Sequence, residues 1–146
     1  MSKFNLFVTF EGPFKKEASD NNYTVGEDLA DYLVEGLKER GFEIKSVEDV
    51  EFAFLIKCIS GTIKYEIMVG LDSIYNRYWE VSLNPRYGFF SRLLGQIEEK
   101  ELEELLKGIH TVLKLNSSIV GIRWYKSYGD QDSIKNKDYS TYPVDV

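Results

Sequence analysis

The chain contains one histidine, His110, and one cysteine, Cys58, and these two residues limit the chemistry it can do. A Ser-His-Asp arrangement would have to run through His110 alone, and a Cys/His zinc site fails by simple counting. Cys58 lies within an apolar strand pattern, so it is expected to be a buried, inert thiol. His110 falls about a quarter-turn from the apolar stripe of its helix, beside Leu106 and Leu113, and reads as a boundary residue. Phosphate-cradling loops of the Gly-x-Gly-x-x-Gly and Gly-x4-Gly-Lys-Ser/Thr kinds are absent. No catalytic residue, cofactor-binding residue or metal ligand is therefore assigned.

Carboxylates are plentiful, and two of them flanking a cleft suffice for glycoside hydrolysis. The densest run is Glu98, Glu99, Glu101, Glu103 and Glu104, but Lys100, Lys107 and Lys114 are interleaved with it. That is the pattern of a solvated helix face supported by ion pairs three or four residues apart.

Two other groups suit binding better than catalysis. Between Glu11 and Ser60 twelve acidic residues stand against six basic ones, while the rest of the chain carries twelve of each, so the net charge of −6 belongs wholly to that stretch. Such a surface repels nucleic-acid backbone and steers basic partners. Glu27, Asp28, Asp31 and Glu35 are its charged candidates. From Ile74 to Gly95 the balance reverses: Arg77, Arg86 and Arg92 accompany Glu80 alone, among Tyr75, Tyr78, Trp79, Tyr87, Phe89 and Phe90. Arginine with aromatics makes interface hot spots and also stacks on single-stranded nucleic acid. Trp79, Tyr87 and Phe90 are the candidate anchors, with Arg86 and Arg92 beside them; the competing reading has these aromatics closing the core.

The elements that would position these residues follow from periodicity. Phe4 to Phe10 alternates as a strand, with Phe4, Leu6, Val8 and Phe10 on one side. Thr24 to Gly41 reads as a helix with Thr24 and Glu27 as a capping box, and Gly36 sits within its apolar stripe, where a missing side chain allows close packing. Strands are expected from Phe42, over Glu51 to Ile59, over Thr62 to Val69 and over Tyr78 to Leu83, with Ser60-Gly61 as a hairpin turn. Glu98 to Leu115 is a second helix with Leu102, Leu105, Leu106, Ile109, Val112 and Leu113 on one face. Ile119 to Tyr125 is the last strand, with Val120, Ile122 and Trp124 facing one way. The order β-α-β-β-β-β-α-β with short central links predicts an α+β, two-layer sandwich: a mainly antiparallel sheet of about six strands with two helices on one face. The other sheet face is mixed in character and would tolerate a homodimer contact.

At 146 residues, 43% hydrophobic and 29% charged, the chain fits one domain over 1–128 followed by a polar C-terminal tail over 129–146. No apolar run approaches the roughly 20 residues that cross a bilayer, and Met1-Ser2-Lys3-Phe4-Asn5 does not read as a secretion leader. A cytoplasmic location without membrane contact is expected.

Gly26-Glu27-Asp28-Leu29-Ala30 opening a helix that ends Glu39-Arg40-Gly41-Phe42, the Tyr78-Trp79-Glu80-Val81 strand, the Phe89-Phe90-Ser91-Arg92-Leu93-Leu94-Gly95 segment and the closing Ile122-Arg123-Trp124-Tyr125 together resemble small bacterial α+β proteins. Some of these resemble immunity proteins of polymorphic toxin systems. The resemblance implies a non-enzymatic protein-binding domain that inhibits a basic toxin domain by direct contact. The alternative expectation is a small-ligand binder or enzyme with a pocket between sheet and helices near Tyr23, Tyr65, Trp79 and the loop from Pro85 to Gly95.

Overall fold

The computed structural model describes residues 3–17, 24–72, 76–85, 95–127 and 139–145, with only the backbone described at 85 and 95–98. Eight elements follow in the expected order: β1 (Phe7–Glu11), α1 (Glu27–Glu39), β2 (Glu43–Asp49), β3 (Phe54–Ser60), β4 (Ile63–Leu71), β5 (Trp79–Pro85), α2 (Gly95–Leu115) and β6 (Val120–Tyr125). They form an α+β fold with one six-stranded antiparallel sheet, ordered β2-β3-β4-β5-β1-β6. After β1 the chain crosses through α1 to the far edge, returns as a meander, and passes through α2 to the other side of β1.

Strand periodicity sends one residue set into the core. Val8, Phe10, Ile56, Cys58, Tyr65, Ile67, Val69, Trp79, Val81 and Trp124 are buried in one cluster with Leu29, Leu33 and Leu37 of α1. The α2 stripe of Leu102, Leu105, Leu106, Ile109, Val112 and Leu113 joins the same cluster, as its spacing requires. Burial pushes the Cys58 thiol up to about 12, which keeps it protonated and inert.

Two glycines set the distance between the helices. A Cβ on Gly36 would lie 2.6 Å from a Val112 methyl, so this gap admits α2 rather than the sheet beneath. A Cβ on Gly108 would lie 2.7 Å from the Phe42 ring. Phe42 arrives there because α1 ends in a Schellman turn: the Gly41 N–H donates to Lys38 O, the Phe42 N–H donates to Leu37 O, and Gly41 takes φ +93°. Across the same interface the Tyr32 hydroxyl donates to Val112 O at 2.6 Å.

Several local expectations are corrected. The capping box does not form: Gly26 caps α1 at φ 105°, and the Thr24 hydroxyl donates to Asp49 Oδ1 instead. The competing partner is tertiary, since Asp49 belongs to β2, and Gly26 suits the cap because its φ is positive and a Cβ there would lie 3.2 Å from the Trp79 ring. The β3–β4 turn is Gly61-Thr62, one residue later than expected, because Ser60 pairs with Ile63 inside the ladder. β5 runs on through Asn84 and Pro85, which pair with Glu66 and Tyr65. In β6 a bulge at Gly121, φ +67°, places Val120 opposite Glu11 and out of phase with Ile122 and Trp124.

The segment expected to have little to bury is packed over 139–145. Val144 is only 7% exposed and bridges Phe4, so Phe4 pairs here rather than inside β1. Ser140 pairs with Trp124 on the open edge of β6.

Candidate functional site

Helix periodicity places Glu27, Asp31, Glu35 and Glu39 one turn apart along α1, and all four are exposed. Each turn of this row rises about 6 Å, so it runs the length of the helix. Burial raises the Asp31 carboxyl above its ordinary value, and repulsion from Glu27, Asp28 and Glu35 pushes it further up. The four sequence candidates on α1 therefore share one electrostatic field. Among the described residues Asp31 and Glu35 enter no ion pair.

Asp28 differs from its neighbours. It is half-buried, its Oδ2 accepts the Lys15 N–H at 2.9 Å, and its Oδ1 accepts the Leu29 N–H at 3.0 Å. Its first task is to hold the β1–α1 connection to the helix start, where a carboxylate also complements the positive end of the helix dipole. Glu39, which the sequence reading did not select, extends the exposed row by a turn; the spacing of four from Glu35 was the available signal.

The aromatic anchors divide. Trp79 is fully buried, packed edge-on against Phe14 at 6.1 Å between ring centroids, and its indole N–H has no hydrogen-bond partner among the described residues. It belongs to the core and offers a partner no surface, which corrects its assignment as an interface anchor. Arg86, Tyr87, Phe90 and Arg92 lie outside the described residues.

Tyr65 is likewise buried, though it contributes to the wall of a concave region on β2–β4; Tyr23 and residues 86–94 lie outside the described residues. Three concave regions are formed by the described residues. One of about 310 Å³ on the sheet's outer face is lined by Phe7, Phe52, Met68, Leu71, Glu80 and Ser82, and Phe52 at its rim is 75% exposed. Another of about 520 Å³ lies where α1 and α2 diverge, with Glu39, Arg40, Phe42, Glu104 and Lys107 around it. A third of about 440 Å³ brings Lys45, Lys57 and Lys64 beside Glu66 on β2–β4. Opposite charges are mixed in the last two, so neither presents the single-signed lining that focuses an ionic ligand.

Among the described residues no group of three His, Cys, Asp or Glu side chains could hold a metal ion, and no helix is long and apolar enough to cross a membrane. His110 is half-buried and its Nδ1 accepts the Trp124 indole N–H at 3.0 Å. Comparison of the chain with protein-family models, curated proteins and solved structures found no match.

Proposed function

We propose that this α+β domain is a non-enzymatic protein-binding module that recognises a basic partner through the exposed face of α1. Inhibition of a basic toxin domain by direct binding, as an immunity protein does, is the concrete form of that reading. One observation carries it: Glu27, Asp31, Glu35 and Glu39 stand exposed one turn apart on α1, and among the described residues Asp31 and Glu35 enter no ion pair. Like charges one turn apart weaken an isolated helix by about 0.2–0.5 kcal/mol per pair, and an approaching cationic surface relieves that cost on contact. Such a row raises association rates by long-range steering, an effect that salt screens. The competing small-ligand reading draws no support from Trp79, which is wholly a core residue.

The test is affinity capture of the tagged full chain from native lysate at low and moderate salt, with mass spectrometry of the retained proteins. Three baits are compared: wild type, Asp31→Asn/Glu35→Gln on α1, and Glu103→Gln/Glu104→Gln on α2. The expected result is one stoichiometric basic protein, held by wild type and the α2 variant, and lost by the α1 variant and at higher salt. Equal retention by all three baits, or capture of no basic protein, overturns the reading.

A further inference from the structure

We propose that residues 139–145 form a pH-sensitive strap, held closed by the neutral ring of His110 and released when that ring takes up a proton. The strap is tied at both ends. The Ser140 and Trp124 backbones exchange two hydrogen bonds of 2.8 Å, the Asn5 N–H donates to Pro143 O at 2.7 Å, and the Asp145 N–H donates to Lys3 O at 2.7 Å. Asn5, itself buried, adds side-chain donations to Tyr142 O and Asp145 Oδ1. Between these ties the Tyr142 ring meets His110 edge-on at 5.2 Å, and the other side of the imidazole faces Trp124 at 6.0 Å. His110 thus links α2, β6 and the strap.

The hydrogen bond fixes the protonation state this junction needs. Nδ1 accepts from the Trp124 indole, so the closed form requires the neutral ring with its proton on Nε2. A protonated ring has two donors and no acceptor, which sets N–H against N–H and leaves a buried indole donor unpaired. Trp124 is 1% exposed and has no water to turn to. Relief comes from moving His110 away from Trp124, and the ring that His110 meets on its way is Tyr142, carried on a short segment.

The charged groups around the junction act with this device. On α2, Lys114 adds to burial in lowering the His110 pKa below the ordinary imidazole value of about 6.5, while Lys107 is drawn to Glu103 at 3.6 Å. At the end of β6, Lys126 pairs with Asp145 of the strap. Hydrogen bonds from Lys126 and Asn5 hold the Asp145 carboxyl below its ordinary value, so that tie stays ionised while the imidazole titrates. The fold binds the His110 proton more weakly than the unfolded chain does. The closed strap is therefore favoured above about pH 6.5 and loses that support as pH falls through the lowered value. Opening would uncover Phe4 and free the β6 edge at Trp124.

Amide hydrogen exchange on the isotope-labelled full chain, corrected for intrinsic rates and compared at about pH 7.5 and about pH 5, tests this. Protection at the Asn5, Trp124 and Ser140 amides is expected to fall about tenfold or more at the lower pH, with the β3–β4 amides of Ile56 and Ile67 unchanged. His110→Gln, which keeps an acceptor but cannot titrate, should give strap protection independent of pH. Wild-type strap protection retained at about pH 5, a fall shared by the β3–β4 amides, or an equal fall in His110→Gln overturns the proposal. Should the variant fail to fold, the wild-type contrast between strap and β3–β4 amides decides.

Discussion

The two helices look alike in sequence, each an apolar stripe backed by a run of acids, yet their carboxylates have different employment. On α2, Glu103 lies 3.6 Å from Lys107 one turn on, and Glu101 Oε1 accepts the Thr62 N–H at 3.3 Å across the β3–β4 turn. A side chain on Gly61 would collide with that same carboxylate, so turn and helix are fitted to each other. On α1, Asp28 is engaged in this way, through the Lys15 N–H. Asp31 and Glu35 enter no ion pair among the described residues, and burial, with the carboxylates nearby, raises the Asp31 carboxyl above its ordinary value. The contrast teaches that a run of acids can serve the fold on one helix and stand without ion pairs on another, and the proposed partner face rests on the second kind.

The comparison breaks first where the helices touch. Gly36→Ala drives a methyl into Val112, and overpacking of this kind costs about 1–3 kcal/mol, partly offset by better helix propensity. Urea unfolding should show the loss, and Val112→Ala in the same chain should recover much of it as a positive coupling in the double-mutant cycle. Next in size is Glu101→Ala, expected to cost about 0.5 kcal/mol, since the exposed Thr62 N–H exchanges its carboxylate partner for water and the buried Oε2, without a partner among the described residues, is removed with it. Equal insensitivity at both positions would mean that α2 is held no more specifically than a generic apolar face.

The sign should reverse on α1. Asp31→Asn/Glu35→Gln is expected to stabilise the fold by about 0.5 kcal/mol at neutral pH, since it removes like-charge pairs. The Asp31 carboxyl is raised in the fold, so the fold binds its proton more tightly than the unfolded chain does. Its contribution favours folding at low pH and is lost as pH climbs through the folded value. The gain from Asp31→Asn over wild type should therefore grow between about pH 4 and neutrality, which a pH series of urea midpoints reads directly.

Where a local rule and the tertiary fold agree, the chain is readable. The α2 stripe from Leu102 to Leu113, the close-packing role of Gly36 and the order of elements all follow from periodicity, because burial on one face is what periodicity records. The failures share a cause: a distant residue decided them. The Thr24 hydroxyl is drawn to Asp49 of β2 rather than to the helix start, and Val120 changed face through the Gly121 bulge. Trp79 sits in an arginine-rich, aromatic stretch whose composition suits an interface, yet its strand phase puts it in the core, and phase was the better guide. The packing of 139–145 was hidden by the polar residues around it, although Val144, an apolar side chain buried there along with Pro143, was a signal; Tyr139 and Tyr142 remain 40% exposed.

The smallest effect belongs to the α2 surface and is the sharpest check on the contrast. Lys107→Gln removes the partner of Glu103, an exposed pair worth about 0.3 kcal/mol at low salt. Its loss should destabilise slightly, and raising salt should erase the difference from wild type by screening the pair. Salt should also shrink the gain from Asp31→Asn/Glu35→Gln, but from the opposite side, because there it screens a repulsion. Two charge-removing changes on neighbouring helices would then converge on the wild-type midpoint from below and from above. Convergence from the same side would mean that the α1 carboxylates are compensated like those of α2, and the case for a basic partner at that face would lose its electrostatic ground.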